Sequence, residues 1–581
     1  MQSKTELVTI TIDGVEVKVP KGTNLIEAAK SIGIEIPYYC YHPNLSIAGN
    51  CRMCQVQVEG SPKLTIACNT GATAGMVVRT QKSSKDVAEA QRATLEFLLI
   101  NHPLDCTVCD QAGHCKLQDY YFQYNAKASR FVEDKVHKVK AEVFGPEVIY
   151  DGERCIVCTR CVRFCDEVTA TGELGVLNRG DHSVIGINEN RELTNALSGT
   201  VVDLCPVGAL THRRWRFNTR IWYTKEVDTI CTGCSTGCNA KVAERDGQIV
   251  HVKARHNPSV NKEWMCDEGR YGFNRFQPPY RLTAPVWRHG ERFEEVSWEA
   301  ACKASEKLLG TTPGATANDV AMFLSPFLTV EELWVALRFA EVVLGISAPA
   351  TRVAMQLRRR TVEESGRMLI SPDYAPNAKA AVALGLITDA PDFRAAAEAR
   401  YEELLEQVRA RAMKRVLLIG EDAVLARDVD DRFMSGMSSA TVSIGCSTSS
   451  VLARSHHSEN GAAHLRNPFA CCSVVFPGRT VNEKDGVMIN GQSRVQRLRA
   501  ALTAPFGTLP EWMILKQLAE RLGKPILPAE VSDDRALFRE VASRLNVLSG
   551  VTLMKIGETG YALEQGNDRS KGTVGKDELR A

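Results

Sequence analysis

Apolar and polar residues alternate at the start of the chain, and this pattern predicts a β-hairpin. In ELVTITIDGVEVKVP (6–20), apolar side chains occupy every second position on both sides of Asp13-Gly14. A period of two is typical of a half-buried strand, and Asp-Gly favours a two-residue turn. The following KGTNLIEAAKSIG (21–33) predicts a short helix that is capped near Thr23 and ends at Gly33. A longer amphipathic helix is expected over 83–102.

The second half of the chain shows a different pattern, in which short apolar segments alternate with helical ones. TVEELWVALRFAEVV (329–343) predicts a helix that opens with a capping box of Thr329 and Glu332. Apolar segments expected to form strands lie at 319–326, 380–387, 414–422 and 472–478. Strands that alternate with helices favour a mostly parallel sheet covered by helices. No apolar run approaches the ~20 residues of a membrane-spanning helix.

Composition is that of an ordinary globular protein with several domains. The chain has 581 residues, of which 44% are hydrophobic and 24% are charged, and its formal net charge is +2. This charge gives no basis for binding nucleic acid or an anionic membrane surface. The first residues read neither as a secretion signal nor as a transit peptide. We therefore expect a cytoplasmic protein that contacts a membrane only through partners.

Cysteine is concentrated in the first half: of 20 cysteines, 16 lie between Cys40 and Cys266. Stable disulfides are rare in a reducing compartment, so this density favours metal or cluster ligation. Four thiolates in a loop after a hairpin suit a 2Fe–2S cluster, and Gly49 lies in that loop. Zinc is the alternative, since it also accepts four thiolates. This first set consists of Cys40, Cys51, Cys54 and Cys68.

The second set, in NHPLDCTVCDQAGHC (101–115), has only three cysteines, namely Cys106, Cys109 and Cys115. The candidates for a fourth ligand are His102, His114, Cys165 and a non-protein group. His114 directly precedes Cys115, and adjacent residues rarely bind one metal. Pro103 pushes His102 into an extended conformation, from which it can fold back over a cluster. We therefore favour His102, with an ordinary structural histidine as the alternative.

The third set begins with CIVCTRCVRFC (155–165) and continues at Cys205-Pro206. In two-cluster ferredoxins each run gives three cysteines to one cluster and a fourth to the other. The positions expected for the second run hold Asn195, Ser198 and Val201, so one cluster has been lost. Cys165 is then expected to be a buried apolar residue. A 4Fe–4S cluster is expected on Cys155, Cys158, Cys161 and Cys205.

The fourth set is another thiolate quartet, in which Gly233 and Gly237 permit tight turns. It suits a further 4Fe–4S cluster, with zinc again as the alternative. Its members are Cys231, Cys234, Cys238 and Cys266. The remaining cysteines lie on a helix or in apolar strands and are expected to pack as small hydrophobes. They are Cys302, Cys446, Cys471 and Cys472.

These four motifs, in this order, resemble the large iron–sulfur subunits of respiratory complex I over nearly the whole chain. The resemblance implies that His102 completes the second 4Fe–4S site, and that the fourth cluster is an extra one that some bacterial members keep. It implies an electron relay from NADH and flavin toward quinone, with no catalytic residue in this chain. The implied partners are a flavin/NADH-binding subunit and other peripheral-arm subunits, including a two-cluster 4Fe–4S subunit. The implied location is the cytoplasmic side of a bacterial inner membrane.

The second half resembles the molybdopterin oxidoreductases through CCSVVFPGRTVNEKDGVMINGQSRVQ (471–496). This similarity raises a rival function, a cytoplasmic NAD-linked formate dehydrogenase, and the cluster motifs also resemble those of iron-only hydrogenases. Such formate dehydrogenases usually carry a lysine where this chain has Glu268, and neither Cys302 nor Cys446 is followed by histidine. RSHHSEN (454–460) is the nearest approach to a pterin site, so no molybdopterin is expected. A hydrogenase would need further cysteine motifs.

The expected fold is multidomain α+β and α/β. It comprises an N-terminal 2Fe–2S ferredoxin-like (β-grasp) domain, 4Fe–4S ferredoxin-like domains and a degenerate molybdopterin-oxidoreductase-like α/β domain. The expected boundaries are 1–82 for the 2Fe–2S domain, 83–125 for the 4Fe–4S domain with one histidine and three cysteines, 126–225 for the ferredoxin-like domain with one cluster lost, 226–282 for the fourth cluster domain, 283–560 for the α/β domain and 561–581 for a polar tail.

Overall fold

The computed structural model describes residues 6–125, 127–273, 281–290, 292–310, 316–357, 369–388, 393–424, 428–439, 442–447 and 468–563. The chain divides into two compact units, here called the front unit (residues 1–224) and the back unit (residues 225–581). The segment 454–460 and all but the first three residues of the expected tail lie outside the described residues. In the described part of the chain, no helix is both long and apolar enough to cross a membrane.

The front unit begins with a five-stranded sheet and one helix, and the predicted hairpin forms the first two strands of this sheet. Its elements are β1 (Leu7–Ile12), β2 (Val15–Pro20), α1 (Leu25–Lys30), β3 (Gln55–Val58), β4 (Thr65–Ile66) and β5 (Val77–Arg79). The strand order is β2-β1-β5-β3-β4. Asp13 and Gly14 join β1 to β2 with φ of 48° and 84°, as a primed hairpin turn requires. The cap of α1 is Asn24, one residue later than predicted, and its side chain accepts a hydrogen bond from the Glu27 amide.

The rest of the front unit has short elements separated by long loops. They are α2 (Lys85–Leu99), α3 (Lys116–Tyr120), β6 (Glu142–Val143), β7 (Val148–Tyr150), α4 (Arg160–Arg163), β8 (Leu174–Leu177), β9 (Val184–Ile187), α5 (Thr200–Leu204) and β10 (Leu210–His212). The predicted amphipathic helix is α2, which begins after the capping residue Ser84. Strands β10, β7 and β6 form one small sheet, and β8 pairs with β9. The ligand motifs therefore lie in loops fixed by very little regular structure.

The back unit opens with an antiparallel sheet and a short helix. These elements are β11 (Lys225–Ile230), β12 (Asn239–Arg245), β13 (Gln248–Ala254) and α6 (Asp267–Tyr271). The larger part follows with β14 (Val286–His289), β15 (Arg292–Glu295), α7 (Trp298–Gly310), β16 (Val320–Leu324), α8 (Val330–Arg338), β17 (Val353–Met355), α9 (Ala378–Ala383), α10 (Phe393–Arg409), β18 (Arg415–Ile419), α11 (Asp431–Ser439), β19 (Val442–Ser447), β20 (Val474–Pro477), β21 (Gly486–Ile489), β22 (Arg494–Leu498), α12 (Glu511–Arg521), α13 (Asp534–Arg544), α14 (Leu553–Ile556) and β23 (Tyr561–Ala562).

A seven-stranded sheet of order β15-β14-β20-β19-β18-β16-β17 forms the core of the back unit. Neighbouring strands from β20 to β17 run parallel, whereas β14 and β15 add an antiparallel edge. The predicted mostly parallel sheet is therefore confirmed. The capping box at α8 is also confirmed, because the Glu332 amide donates to Thr329 Oγ1 and the Thr329 amide donates to Glu332 Oε2.

Two local predictions for the back unit are wrong. The apolar pattern predicts a strand at 380–387, but the first half of this segment belongs to helix α9. Alanine has the highest helix propensity, and an apolar run of this length does not distinguish a buried helix from a buried strand. Cys471 and Cys472 precede β20 instead of lying in it, although both are buried, as is Cys302 on α7. Cys446 lies on β19, and its side chain is outside the described residues.

Candidate cluster-binding sites

The first cysteine set lies in the loops that flank β3 and β4 of the front unit. Gly49, with φ of 63°, makes the turn that precedes Cys51. Cys40 donates its amide to Cys51 Sγ at 3.5 Å, and contact with the Cys51 thiol lowers the pKa of Cys40 to about 5. Contact with Cys54 likewise lowers the pKa of Cys68. The four sulfurs form two adjacent pairs in a buried loop, an arrangement that fits a four-thiolate cluster.

The second set places its residues in a turn between α2 and α3. Cys109 and Cys115 are buried, whereas Cys106 is exposed, and the three thiols are electrostatic neighbours. The His102 imidazole has a buried Nδ1 with no hydrogen-bond partner among the described residues. Burial lowers the pKa of His102 to about 4, which leaves the ring neutral, the form that binds metals. The neutral imidazole and the three neighbouring thiols fit a 4Fe–4S cluster with one histidine and three thiolate ligands. The assignment of His102 as the fourth ligand stays a prediction.

The third set surrounds an apolar cavity. All four predicted ligands line it, together with Tyr150, Ile185, Val207 and Leu210, and Cys165 is not among the lining residues. Burial strongly raises the pKa of Cys161, and the neighbouring Cys158, Cys155 and Cys205 thiols raise it further. Val157 and Thr159 adopt left-handed φ values of 48° and 61°, which are strained for residues with a Cβ. Four thiols around an apolar space fit a 4Fe–4S cluster.

The fourth set lies at one end of the antiparallel sheet of the back unit. Cys231 follows β11, Cys238 precedes β12, and Cys266 caps α6. The Gly233 amide donates to Cys231 Sγ, and the Gly269 amide donates to Cys266 Sγ, each at 3.3 Å. Amide donors to sulfur stabilise thiolates and clusters.

The fourth set also requires glycine at position 269. A Cβ on Gly269 would lie 2.9 Å from Cys231 Sγ and 3.3 Å from Cys266 Sγ, so only glycine fits between these two sulfurs. The segment that resembles the molybdopterin oxidoreductases packs on this loop: Gln496 donates to the Gly237 carbonyl and Asn490 donates to the Thr236 carbonyl. The fourth site is therefore continuous with the large α/β part of the back unit.

Within the front unit, the first and third sets are joined by arginines that the cysteine motifs do not predict. Arg163 Nη2 donates to the Cys40 carbonyl at 2.5 Å and to the Cys158 carbonyl at 3.4 Å. Arg160 donates to the Tyr41 and Leu204 carbonyls, and Asn50 donates to the Val157 carbonyl. The only signal in the sequence is two arginines inside CIVCTRCVRFC (155–165), which is weak because arginine is common on surfaces.

The third and second sets are also adjacent. The Lys116 amide, which follows Cys115, donates to the Pro206 carbonyl, which follows Cys205. A Cβ on Gly208 would lie 2.2 Å from Cys109 Sγ, so only glycine fits there. Arg154 beside Cys155 pairs with Asp105 beside Cys106 at 2.7 Å. In the front unit, the third ligand set therefore lies beside both the first and the second.

Five family models match the chain, in an order that follows the four motifs. They describe a 2Fe–2S iron–sulfur cluster binding domain (5–83), an NADH-ubiquinone oxidoreductase-G iron–sulfur binding region (91–130), the ferredoxin-like domain of NADH-quinone oxidoreductase subunit 3 (145–211), a molybdopterin oxidoreductase Fe4S4 domain (224–277) and a molybdopterin oxidoreductase domain (463–521). The chain is therefore an iron–sulfur protein of mixed α/β fold with a molybdopterin-oxidoreductase-type second half.

Curated relatives match long stretches of the chain. The G subunit of the NADH-quinone oxidoreductase of Streptomyces coelicolor is 40% identical over 58% of this chain and 40% of its own length. The mitochondrial 78 kDa subunit of NADH-ubiquinone oxidoreductase of Candida albicans is 29% identical over 93% of this chain and 86% of its own length. The chain is thus similar to these subunits of NADH-quinone and NADH-ubiquinone oxidoreductases. It spans about two fifths of the length of the first curated relatives that it matches.

A solved NAD+-reducing [NiFe]-hydrogenase also shows some similarity. It is 30% identical to this chain over 37% of this chain and 91% of its own, with a TM-score of 0.33. A TM-score at this level does not define a shared fold.

Proposed function

We propose that this chain is the electron-relay subunit of an NADH:quinone oxidoreductase. In this proposal it accepts electrons from a flavin/NADH-binding partner subunit and passes them through iron–sulfur clusters toward quinone. The observation that carries the proposal is the adjacency of the first, third and second ligand sets within the front unit. A relay needs consecutive sites in close succession, and a set of isolated structural metal sites does not.

The proposed ligands are those that the spacing predicts. A 2Fe–2S cluster is assigned to Cys40, Cys51, Cys54 and Cys68, and 4Fe–4S clusters are assigned to His102 with Cys106, Cys109 and Cys115, to Cys155, Cys158, Cys161 and Cys205, and to Cys231, Cys234, Cys238 and Cys266. When bound, such clusters supply one-electron transfer without bond rearrangement. We also propose the six domain boundaries given above, with the first three domains in the front unit.

The contribution of the chain itself is to hold the ligands still and to exclude water. Buried thiols and amide N–H donors fix the sulfur positions, and the guanidinium groups of Arg160 and Arg163 fix two ligand loops against each other. Rigid ligands lower the structural rearrangement that accompanies each electron. Burial and hydrogen bonds to sulfur also tune the reduction potential.

We propose further that the chain works in the cytoplasm, on the inner face of a bacterial membrane, and reaches the membrane only through partners. Its partners would be the flavin/NADH-binding subunit and other peripheral-arm subunits, including a two-cluster 4Fe–4S subunit. No molybdopterin is expected, because Glu268 stands where a cluster-to-pterin lysine would be and no pterin ligand is apparent in the sequence.

Elemental analysis of the purified full-length chain tests this function directly. We expect iron and acid-labile sulfide in the proportion of one two-iron and three four-iron clusters, without molybdenum, tungsten or zinc. Stoichiometric molybdenum or tungsten with pterin would instead identify a formate dehydrogenase. Zinc in place of iron would identify a structural scaffold.

The ligand role of His102 needs its own test. A His102→Cys variant should keep a four-iron cluster, because cysteine also binds iron, but its reduction potential and EPR spectrum should change. The matched control is His114→Cys, in the same loop, which should leave both unchanged. An unaltered spectrum in His102→Cys would remove His102 from the ligand set.

A further inference from the structure

A buried arginine lies between the second and third ligand sets. Arg154 directly precedes Cys155, and its side chain is only 5% exposed. Its Nε and Nη2 both donate to Asp105 Oδ2, at 3.2 and 2.7 Å, and Nε lies 3.4 Å from Asp151 Oδ2. Two of the three guanidinium nitrogens are therefore held by carboxylates.

The third nitrogen, Arg154 Nη1, is buried and has no hydrogen-bond partner among the described residues. A buried N–H without a partner destabilises the fold, so such groups call for an explanation. Both Cys109 and His102 are electrostatic neighbours of this guanidinium. The position that a Cβ of Gly208 would take lies 2.2 Å from Cys109 Sγ and 3.7 Å from Arg154 Cδ, so the arginine and the cysteine flank the same glycine.

We propose that the positive charge of Arg154 raises the reduction potential of the cluster held by His102, Cys106, Cys109 and Cys115. This inference rests on the proposed function. Reduction adds one electron and no proton to this site, so a fixed positive charge beside Cys109 favours the reduced form. The effect is large for a buried charge, because the low dielectric of the interior screens it weakly. Asp105 orients the guanidinium so that Nη1 remains available as a donor.

A second cation near the pair is more exposed. Lys140 Nζ lies 3.2 Å from Asp105 Oδ2 and 2.7 Å from Glu153, but the Lys140 side chain is 43% exposed. Lys140 carries the same charge as Arg154 and contacts the same carboxylate. It therefore provides a matched control in which solvent screens the charge.

The test is an EPR redox titration of the full-length chain with its clusters assembled. Arg154→Gln should make reduction of the second-set cluster at least tenfold less favourable, which for one electron is a midpoint lower by about 59 mV. Arg154→Lys keeps the charge, so its midpoint should stay close to that of the wild-type chain. Lys140→Gln should change the reduction equilibrium of the second-set cluster less than threefold. Asp105→Asn removes a negative charge and should shift the midpoint in the opposite direction.

The midpoint shifts expected for Arg154→Gln and Asp105→Asn have opposite signs, and this distinguishes an electrostatic role of Arg154 from a structural one. A purely structural Arg154–Asp105 pair would give the same loss of iron and the same direction of shift in both variants, and that result would overturn the inference. An unshifted midpoint in Arg154→Gln would also overturn it. If Arg154→Gln does not retain iron, Arg154→Lys and Asp105→Asn decide the question through their midpoints.

A Cys109→Ser variant keeps this test distinct from that of the proposed function. It should abolish or alter the second-set signal, which assigns that signal in the wild-type chain. If no signal of the wild-type chain responds to Cys109→Ser, the second cluster is absent and the proposed function fails at that site. A signal that responds to Cys109→Ser but not to Arg154→Gln overturns only the role of Arg154.

Discussion

In the back unit, the parallel sheet buries side chains on both faces, whereas the loops of the front unit are arranged around ligand sets. Strand β16 illustrates the first case: Met322 and Leu324 belong to one apolar cluster, and Ala321 and Phe323 belong to another on the opposite face. The third ligand set illustrates the second case. Its loop contains the left-handed residues Val157 and Thr159, and regular structure there is limited to short elements.

The sheet of the back unit and the ligand loops of the front unit are therefore stabilised by different interactions. The sheet of the back unit has its own apolar core, so it can be stable without any cofactor. The ligand loops around the second and third sets are connected only by short helices and strands, and bound clusters would supply additional cross-links between them. Arginine-to-carbonyl hydrogen bonds then join one ligand loop to the next.

The largest effect should follow from withholding iron. Chain prepared without iron should show amide hydrogen exchange faster by on the order of a hundredfold or more in residues 101–125 and 151–212, because metal ligation contributes directly to folding free energy. Exchange in strands β16, β18 and β20 should be unchanged. Iron-replete chain is the control. Equal protection of the ligand loops with and without iron would contradict the proposed contrast.

The second effect concerns the apolar core of the back unit. Phe323 on β16 is fully buried. Phe323→Ala should lower the free energy of unfolding of the back unit by about 3–5 kcal/mol, through lost burial and a new cavity. Chemical denaturation followed by tryptophan fluorescence measures this loss. Phe506→Ala, at a fully exposed position, is the control and should cost less than about 0.5 kcal/mol. The EPR spectrum of the front-unit clusters should not change in either variant.

The third effect is a pH dependence of the back unit. Burial raises the pKa of Glu331 from 4.5 to about 8, and its Oε2 accepts a hydrogen bond from the Val487 amide at 3.1 Å. Between these values the folded chain binds more protons than the unfolded chain. The free energy of unfolding should therefore fall as pH rises through this window, by up to about 1.4 kcal/mol per pH unit for one group. Below pH 4.5 the contribution is fully present.

Glu331→Gln isolates this contribution, because glutamine does not titrate. Denaturation midpoints measured from about pH 5 to about pH 8 should fall less steeply in the variant than in the parent chain. Glu511 also has a pKa raised to about 8 by burial, so some dependence of the same sign should remain. A variant as steep as the parent would show that Glu331 is not protonated in the folded state.

The smallest effect is expected at a surface ion pair of the front unit. Lys21 Nζ lies 2.9 Å from Glu6 Oε2, and the two side chains are 57% and 66% exposed. Solvent screens such a pair, so Lys21→Ala should change the free energy of unfolding by less than about 1 kcal/mol. A double-mutant cycle with Glu6→Ala measures the interaction itself. A larger coupling would mean that surface charge contributes to the stability of the front unit.

Much of the fold could be predicted from local pattern. The hairpin at Asp13-Gly14, the helix from Lys85 and the capping box at Thr329 depend on neighbours in sequence, and all three are present in the structure. The segment 380–387 shows the limit of this reasoning. An apolar run of this length is compatible with a buried strand or a buried helix, and its alanine-rich first half is a helix.

The candidate ligand sites were also predictable only in part. Cysteine spacing grouped most members of each ligand set, because a cluster loop holds several of its ligands a few residues apart. Spacing did not indicate that the first set lies beside the third, or that Arg154 and Asp105 connect the third set to the second. Those contacts join residues separated by 49 and 123 positions, and only the folded chain brings them together. The sequence by itself determined the candidate ligands, and the tertiary structure decided which ligand sets lie side by side, since long-range hydrogen bonds and ion pairs leave no periodic signal along the chain.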